Sequence, residues 1–135
     1  MFLLLFLINL AYADMDKIGE VEAKGIIFQD TIDVVVFDDP TIKGVSCYTT
    51  RYNRSLSLTD STNSSLSCRK TGEISGELVS KNNIFSQDKS LLFFKATRVD
   101  RFYDAKRKVL VYLSYTKSWG DKNSSHSLSV VPVNH

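Results

Sequence analysis

Apolar positions along this chain either alternate with polar ones or run together in short unbroken stretches; no stretch of useful length holds the spacing of a helix. The clearest pattern spans Ser90 to Thr116, where Leu91–Phe94 and Val109–Leu113 are almost continuously apolar and flank a charged turn, Asp104-Ala105-Lys106-Arg107-Lys108. Aromatic and β-branched residues fit a pleated surface, so this stretch predicts a central ribbon of two long strands with both faces covered. Upstream, Thr31–Phe37 predicts a strand stopped by Asp38-Asp39-Pro40, because proline cannot donate to a ladder and holds the preceding residue out of helix geometry. The chain then turns through Pro40–Gly44. Val45–Tyr52 resumes as the second arm of a hairpin, with Val45, Cys47, Thr49 and Arg51 sharing one face.

The remaining segments are shorter. Lys17–Ala23 suits an edge strand, Ile26–Phe28 is a small apolar patch, and Leu128–Val133 closes a sheet with Pro132 near its exposed end. Cys68–Val79, interrupted by Gly72 and Gly76, reads as a pair of strands around a turn, and Asn82-Asn83 as a loop. Asn53–Ser67 is dominated by Ser, Thr, Asn and Asp, which bond to their own backbone in preference to a ladder; one helical turn near Asp60–Leu66 is the most it predicts. Trp119–Ser125 is a loop. The sum is about seven strands, an all-β, mostly antiparallel sandwich or partly open barrel with little helix.

Composition narrows the setting. With 135 residues, the chain is one domain long. Its formal charge of +2 is dispersed, with no electropositive footprint for nucleic acid. Phe2–Leu10 is apolar and Ala11-Tyr12-Ala13 forms a small-x-small cleavage site, although no Lys or Arg precedes the run. Residues 1–13 therefore read as a cleaved signal peptide, and 14–135 as a single exported domain with no transmembrane segment. In an exported chain the two cysteines, Cys47 and Cys68, are expected to form a disulfide; a metal site would need further ligands, and only His126 and His135 are on offer. No metal and no cofactor are expected.

Three groups of residues could carry chemistry. Asp38 and Asp39 could bind a cation or act as acid and base, but adjacent residues on an extended chain point apart, which favours a turn-capping role. Arg98, Arg101 and the Asp104–Lys108 turn gather charge at one end of the ribbon, where an arginine flanked by aromatics such as Tyr103 could grip a carboxylate or phosphate, or pair with Asp38, Asp39 or Asp104 to fasten neighbouring turns. Ser124-Ser125-His126-Ser127 holds hydroxyls near an imidazole but lacks any oxyanion-loop motif.

Taken together, Phe37-Asp38-Asp39-Pro40, Val45-x-Cys47-Tyr48-x-x-Arg51, Ser67-Cys68 with Gly72, Arg101-Phe102-Tyr103-Asp104-Ala105-Lys106-Arg107, Leu110-x-Tyr112-Leu113-x-Tyr115 and Val131-Pro132-Val133 closely resemble the CreA family of small exported proteins of Gram-negative bacteria. The resemblance implies a periplasmic domain of this size with no assigned biochemical activity, so no catalytic residue carries over. Where relatives tend to have Gly-Pro-Ile this chain has Gly72-Glu73-Ile74, and Lys108 stands where they often place Asn. The leading expectation is a non-enzymatic periplasmic protein that recognises an envelope component or partner protein. Its candidate binding residues are Asp38, Asp39, Tyr48, Arg51, Arg101, Tyr103, Asp104 and Arg107, on a surface where Arg51, the FDDP turn and the RFYD turn converge. The alternatives are a hydrolase using Asp38, Asp39 and Asp104, and a purely structural or stress-linked envelope protein.

Overall fold

The computed structural model describes residues 15–24, 30–53, 65–88, 96–117 and 125–134. Eight strands make two four-stranded antiparallel sheets, each a simple meander. The first contains β1 (Met15–Lys24), β2 (Asp30–Asp38), β3 (Ile42–Asn53) and β4 (Ser67–Gly76); the second contains β5 (Lys81–Asp88), β6 (Ala96–Asp104), β7 (Val109–Lys117) and β8 (His126–Pro132). No described residue is helical.

The period-two pattern becomes the core directly. Val35 and Phe37 of β2 and Val45 and Cys47 of β3 face inward with Ile42, and meet Ile84, Phe85, Val99, Leu110, Tyr112 and Val131 from the other sheet. Phe37 and Phe85 stack across the gap with ring centroids 4.0 Å apart. Along one side the sheets are also laced: the Cys68 N–H of β4 donates to Ser129 Oγ of β8 at 2.8 Å. The molecule is thus a sandwich whose β4 and β8 edges approach each other.

Cys47 and Cys68 are direct cross-strand partners in the β3–β4 register and form the disulfide. That linkage matters because β4 adds no fully buried side chain to its ladder and to the packing of Ile74 on the core. The strand's residues alternate between exposed and half-buried, and none is fully buried.

Several expectations are corrected by the backbone. The described residues form eight strands, where about seven were expected. Cys68–Val79 is not a strand pair: residues 67–76 form one strand, in which Gly72 lies in an irregularity between the Lys43↔Ser75 and Val45↔Lys70 pairs and Gly76 pairs with Ile42 at the strand's end. Gly44 has φ +90° inside β3, where a Cβ would come within 2.5 Å of the Glu73 carbonyl oxygen. Only glycine fits there; Gly44 lies within strand β3 at its bulge, and the β2–β3 turn is confined to residues 39–41. Asn82-Asn83 is likewise a bulge within β5, with Asn83 at φ 54° and its N–H on Asp100 Oδ1 at 2.7 Å. The β6–β7 ribbon forms in register from Ala96↔Lys117 to Asp104↔Val109, but among the described residues only its inner face is fully buried, and on the outer face Val111 and Leu113 are half-buried and Phe102 is 44% exposed. The expectations for Leu91–Phe94, Ile26–Phe28, the Asp60–Leu66 turn, most of the Trp119–Ser125 loop and the leader fall outside the described residues.

Candidate functional site

Asp39 is the first residue after β2, and the turn it opens is short enough that its carboxylate lies over the following backbone. Oδ1 accepts the N–H groups of Thr41 at 3.0 Å and Ile42 at 3.2 Å, as expected of an aspartate opening a turn. The same carboxylate is reached from the opposite sheet. Arg101 Nη1, on the inner face of β6, donates to Asp39 Oδ1 at 2.7 Å and Oδ2 at 2.8 Å, and to Thr41 Oγ1 at 3.0 Å. Its Nε donates to the Val79 carbonyl at 3.0 Å and its Nη2 to the Glu77 carbonyl at 3.3 Å. Tyr112 of β7 completes the set, donating its hydroxyl to Asp39 Oδ2 at 2.6 Å.

Arg101, Tyr112 and the Asp39 carboxylate are fully buried. A buried charge is tolerated only when paired and hydrogen-bonded, and here both carboxylate oxygens and all three guanidinium nitrogens have partners. Burial, and after it the hydrogen bond to Asp39, pushes the Tyr112 phenol far above its ordinary range and keeps it a donor. One guanidinium therefore ties the β2–β3 turn, the 77–80 crossover between the sheets and the β6–β7 ribbon together.

Around this cluster the surface is concave. A groove of about 390 Å³ is bounded by Asp38, Asp39, Lys43, Thr71 and Glu73, with Gly44 and Gly72 where the β3–β4 ladder is irregular. Asp38 accepts a hydrogen bond from Ser46 Oγ, which also lies 3.2 Å from Thr71 Oγ1. Lys43 and Glu73 carry exposed charges on this wall.

The other candidates lie elsewhere. Arg51 does not join Asp39; it is the register partner of Asp33, about 20 Å back along β2 at the usual rise per strand residue. It donates to Asp33 Oδ2 through Nη2 at 2.9 Å and Nε at 3.3 Å, and Lys17 approaches Asp33 Oδ1 at 3.5 Å. Tyr48 projects from the outer face of the first sheet, 36% exposed. Tyr103 packs against the core and its N–H bonds Ser80 Oγ at 3.0 Å. Asp104 and Arg107 pair with each other at 3.1 Å on the exposed hairpin. The Arg107 backbone N–H, and then its side chain, hold the Asp104 carboxyl below the usual carboxylate range.

Sequence reading missed Asp33, Tyr112 and the groove walls Lys43, Thr71 and Glu73. Asp33 had a signal: it shares the inward face of β2 with Val35 and Phe37, and a carboxylate on an apolar face needs a buried cation. Among the described residues no group of three or more His, Cys, Asp or Glu side chains is placed to hold a metal, and no helix is long and apolar enough to cross a membrane.

Comparison with known proteins agrees with this arrangement of motifs. The family model for the CreA protein matches residues 18–135. Protein CreA of Escherichia coli K12 is 34% identical over 134 residues, covering 90% of this chain and 85% of the relative. The CreA proteins of Escherichia coli O6:H1 and O157:H7 match with the same identity and coverage. No solved structure shows significant similarity. With the family model spanning both sheets and the FDDP and RFYD segments that meet at Asp39 and Arg101, the chain belongs to the CreA family.

Proposed function

We propose that this is an exported, periplasmic, non-enzymatic protein that recognises an envelope component or partner protein through the groove beside the FDDP turn. The observation that carries this reading is the division of labour among the charges. Asp39 and Arg101 are spent on each other inside the fold, while Asp38, Lys43, Thr71 and Glu73 remain along an open groove. Mixed polar groups in a small concavity suit recognition of another polar surface. The disulfide is compatible with an oxidising compartment.

Carboxylate-based hydrolysis would need two carboxyl groups converging with one raised pKa. Asp39 has no lone pair to spare, and the Asp104 carboxyl is shifted the opposite way by its bonds to Arg107. No observation favours that alternative.

The test is site-specific photo-crosslinking in intact cells, with the reactive group at Lys43 or Glu73 and, as a control, at Glu22 on β1. A discrete adduct is expected from the groove positions alone, and Thr71→Trp, which fills the groove, is expected to abolish it. Adducts at Glu22 of equal yield, or adducts insensitive to the Trp substitution, would refute the assignment.

A further inference from the structure

The outer face of the second sheet carries side chains that a solvated face does not call for. Cross-strand register puts Phe102, Val111 and Val130 in one row, and Leu113 beside Leu128 in the next. Phe102 is 44%, Val130 51% and Leu128 60% exposed, and Val109 and Pro132 extend the strip towards the β6–β7 turn. Contiguous exposed apolar surface of this kind marks a place where something docks.

The surrounding charge says what. Arg98 stands at one end of the strip and Lys106, Arg107 and Lys108 at the other, against Asp100 and Asp104, an excess of two positive charges. That equals the formal excess of the whole chain, so the remaining residues balance. The two carboxylates are already engaged: Asp100 accepts bonds from the Asn83 N–H and the Tyr115 hydroxyl, and Asp104 is paired with Arg107. Among the described residues neither Lys106 nor Lys108 has a carboxylate in ion-pair reach. A second copy stacked on this face would bring the same excess of positive charge, with only Asp100 and Asp104, both already engaged, to set against it. An anionic bilayer offers both terms, phosphate headgroups for the rim and the acyl boundary for the strip.

We infer that this face, bearing Phe102, Val130 and Leu128 beside the Lys106–Lys108 turn, is a peripheral docking surface for an anionic lipid membrane. It is distinct from the groove: the groove lies on β3 and β4 of the first sheet, and the strip on β6, β7 and β8 of the second.

Co-sedimentation of the oxidised, folded protein with vesicles tests it. Binding is expected to phosphatidylcholine vesicles containing about one-third phosphatidylglycerol, to weaken as salt rises, and to be absent with phosphatidylcholine alone. Lys106→Gln/Lys108→Gln is expected to weaken partitioning on the order of 30-fold. Phe102→Ser/Val130→Ser is expected to abolish it, with an unchanged circular dichroism spectrum, whereas Thr71→Trp in the groove leaves it intact. No sedimentation with either vesicle at low salt, equal sedimentation with both, or insensitivity to the lysine and Phe102/Val130 variants would overturn the inference. So would a dimer of the wild type that those variants dissociate.

Discussion

At the scale of single residues, what decides a charged group's role is whether its partners are exhausted. Tyr112 makes this measurable. Its phenol is held above the ordinary value of 10.0 by burial and by Asp39, so its contribution to stability is complete below that pH and is lost as pH rises beyond it. Wild-type protein is therefore expected to lose stability more steeply above pH 10 than Tyr112→Phe, and phenolate absorbance from Tyr112 is expected only as the chain unfolds. A Tyr112 that titrates in the folded state at the ordinary value would contradict the buried bond. Lys108 is a second case. It sits at φ 53°, a left-handed conformation that costs most L-residues energy and that Asn tolerates better. Lys108→Asn is expected to raise stability by about 0.5–1 kcal/mol, a rise of a few degrees in melting temperature for a domain of this size. A lowered melting temperature would mean the lysine side chain does more for the turn than its backbone costs.

At the scale of elements, the two hairpins were legible in the sequence for a plain reason. Thr31–Phe37 and Val109–Leu113 are apolar and β-branched, and the stops beside them, Pro40 and the charged 104–108 turn, are local chemistry. β4 was not legible as one strand, since Gly72 and Gly76 look like turn residues until the backbone of Gly44 is seen to lie against the Gly72 and Glu73 carbonyls, and that of Gly76 against Thr41. A bulge is a property of two strands, and one segment's pattern cannot declare it. Nor does one segment's pattern tell which apolar face of the ribbon stays open. β4 also shows why the disulfide matters. With no fully buried side chain of its own, the strand is held by its ladder, the Ser129 contact and Cys47–Cys68. Replacing both cysteines with serine is expected to cost roughly 3 kcal/mol. Amide exchange is then expected to accelerate in β4 first, with β6 and β7 still protected. Uniform acceleration across both sheets would show that β4 is not the separately held element described here.

At the scale of the whole molecule, two meanders need something besides apolar contact to fix how they face each other. The Asp39–Arg101–Tyr112 cluster supplies it by binding the turn of one sheet, the ribbon of the other and the crossover between them. The motif residues were legible as a set, and an arginine–aspartate pair at the turns was one reading of them. Which aspartate, and the placement of Arg51 with Asp33 along the hairpin, required the register. The most direct measurement is a double-mutant cycle by urea unfolding on Arg101→Met, Asp39→Asn and the two together. Removing the guanidinium alone leaves a buried carboxylate unpaired and is expected to cost about 3–5 kcal/mol. The double variant is expected to cost at least about 2 kcal/mol less than the sum of the singles. A single-variant cost under about 1 kcal/mol, with the two substitutions additive within about 0.5 kcal/mol, would contradict the claim that this pair joins the sheets.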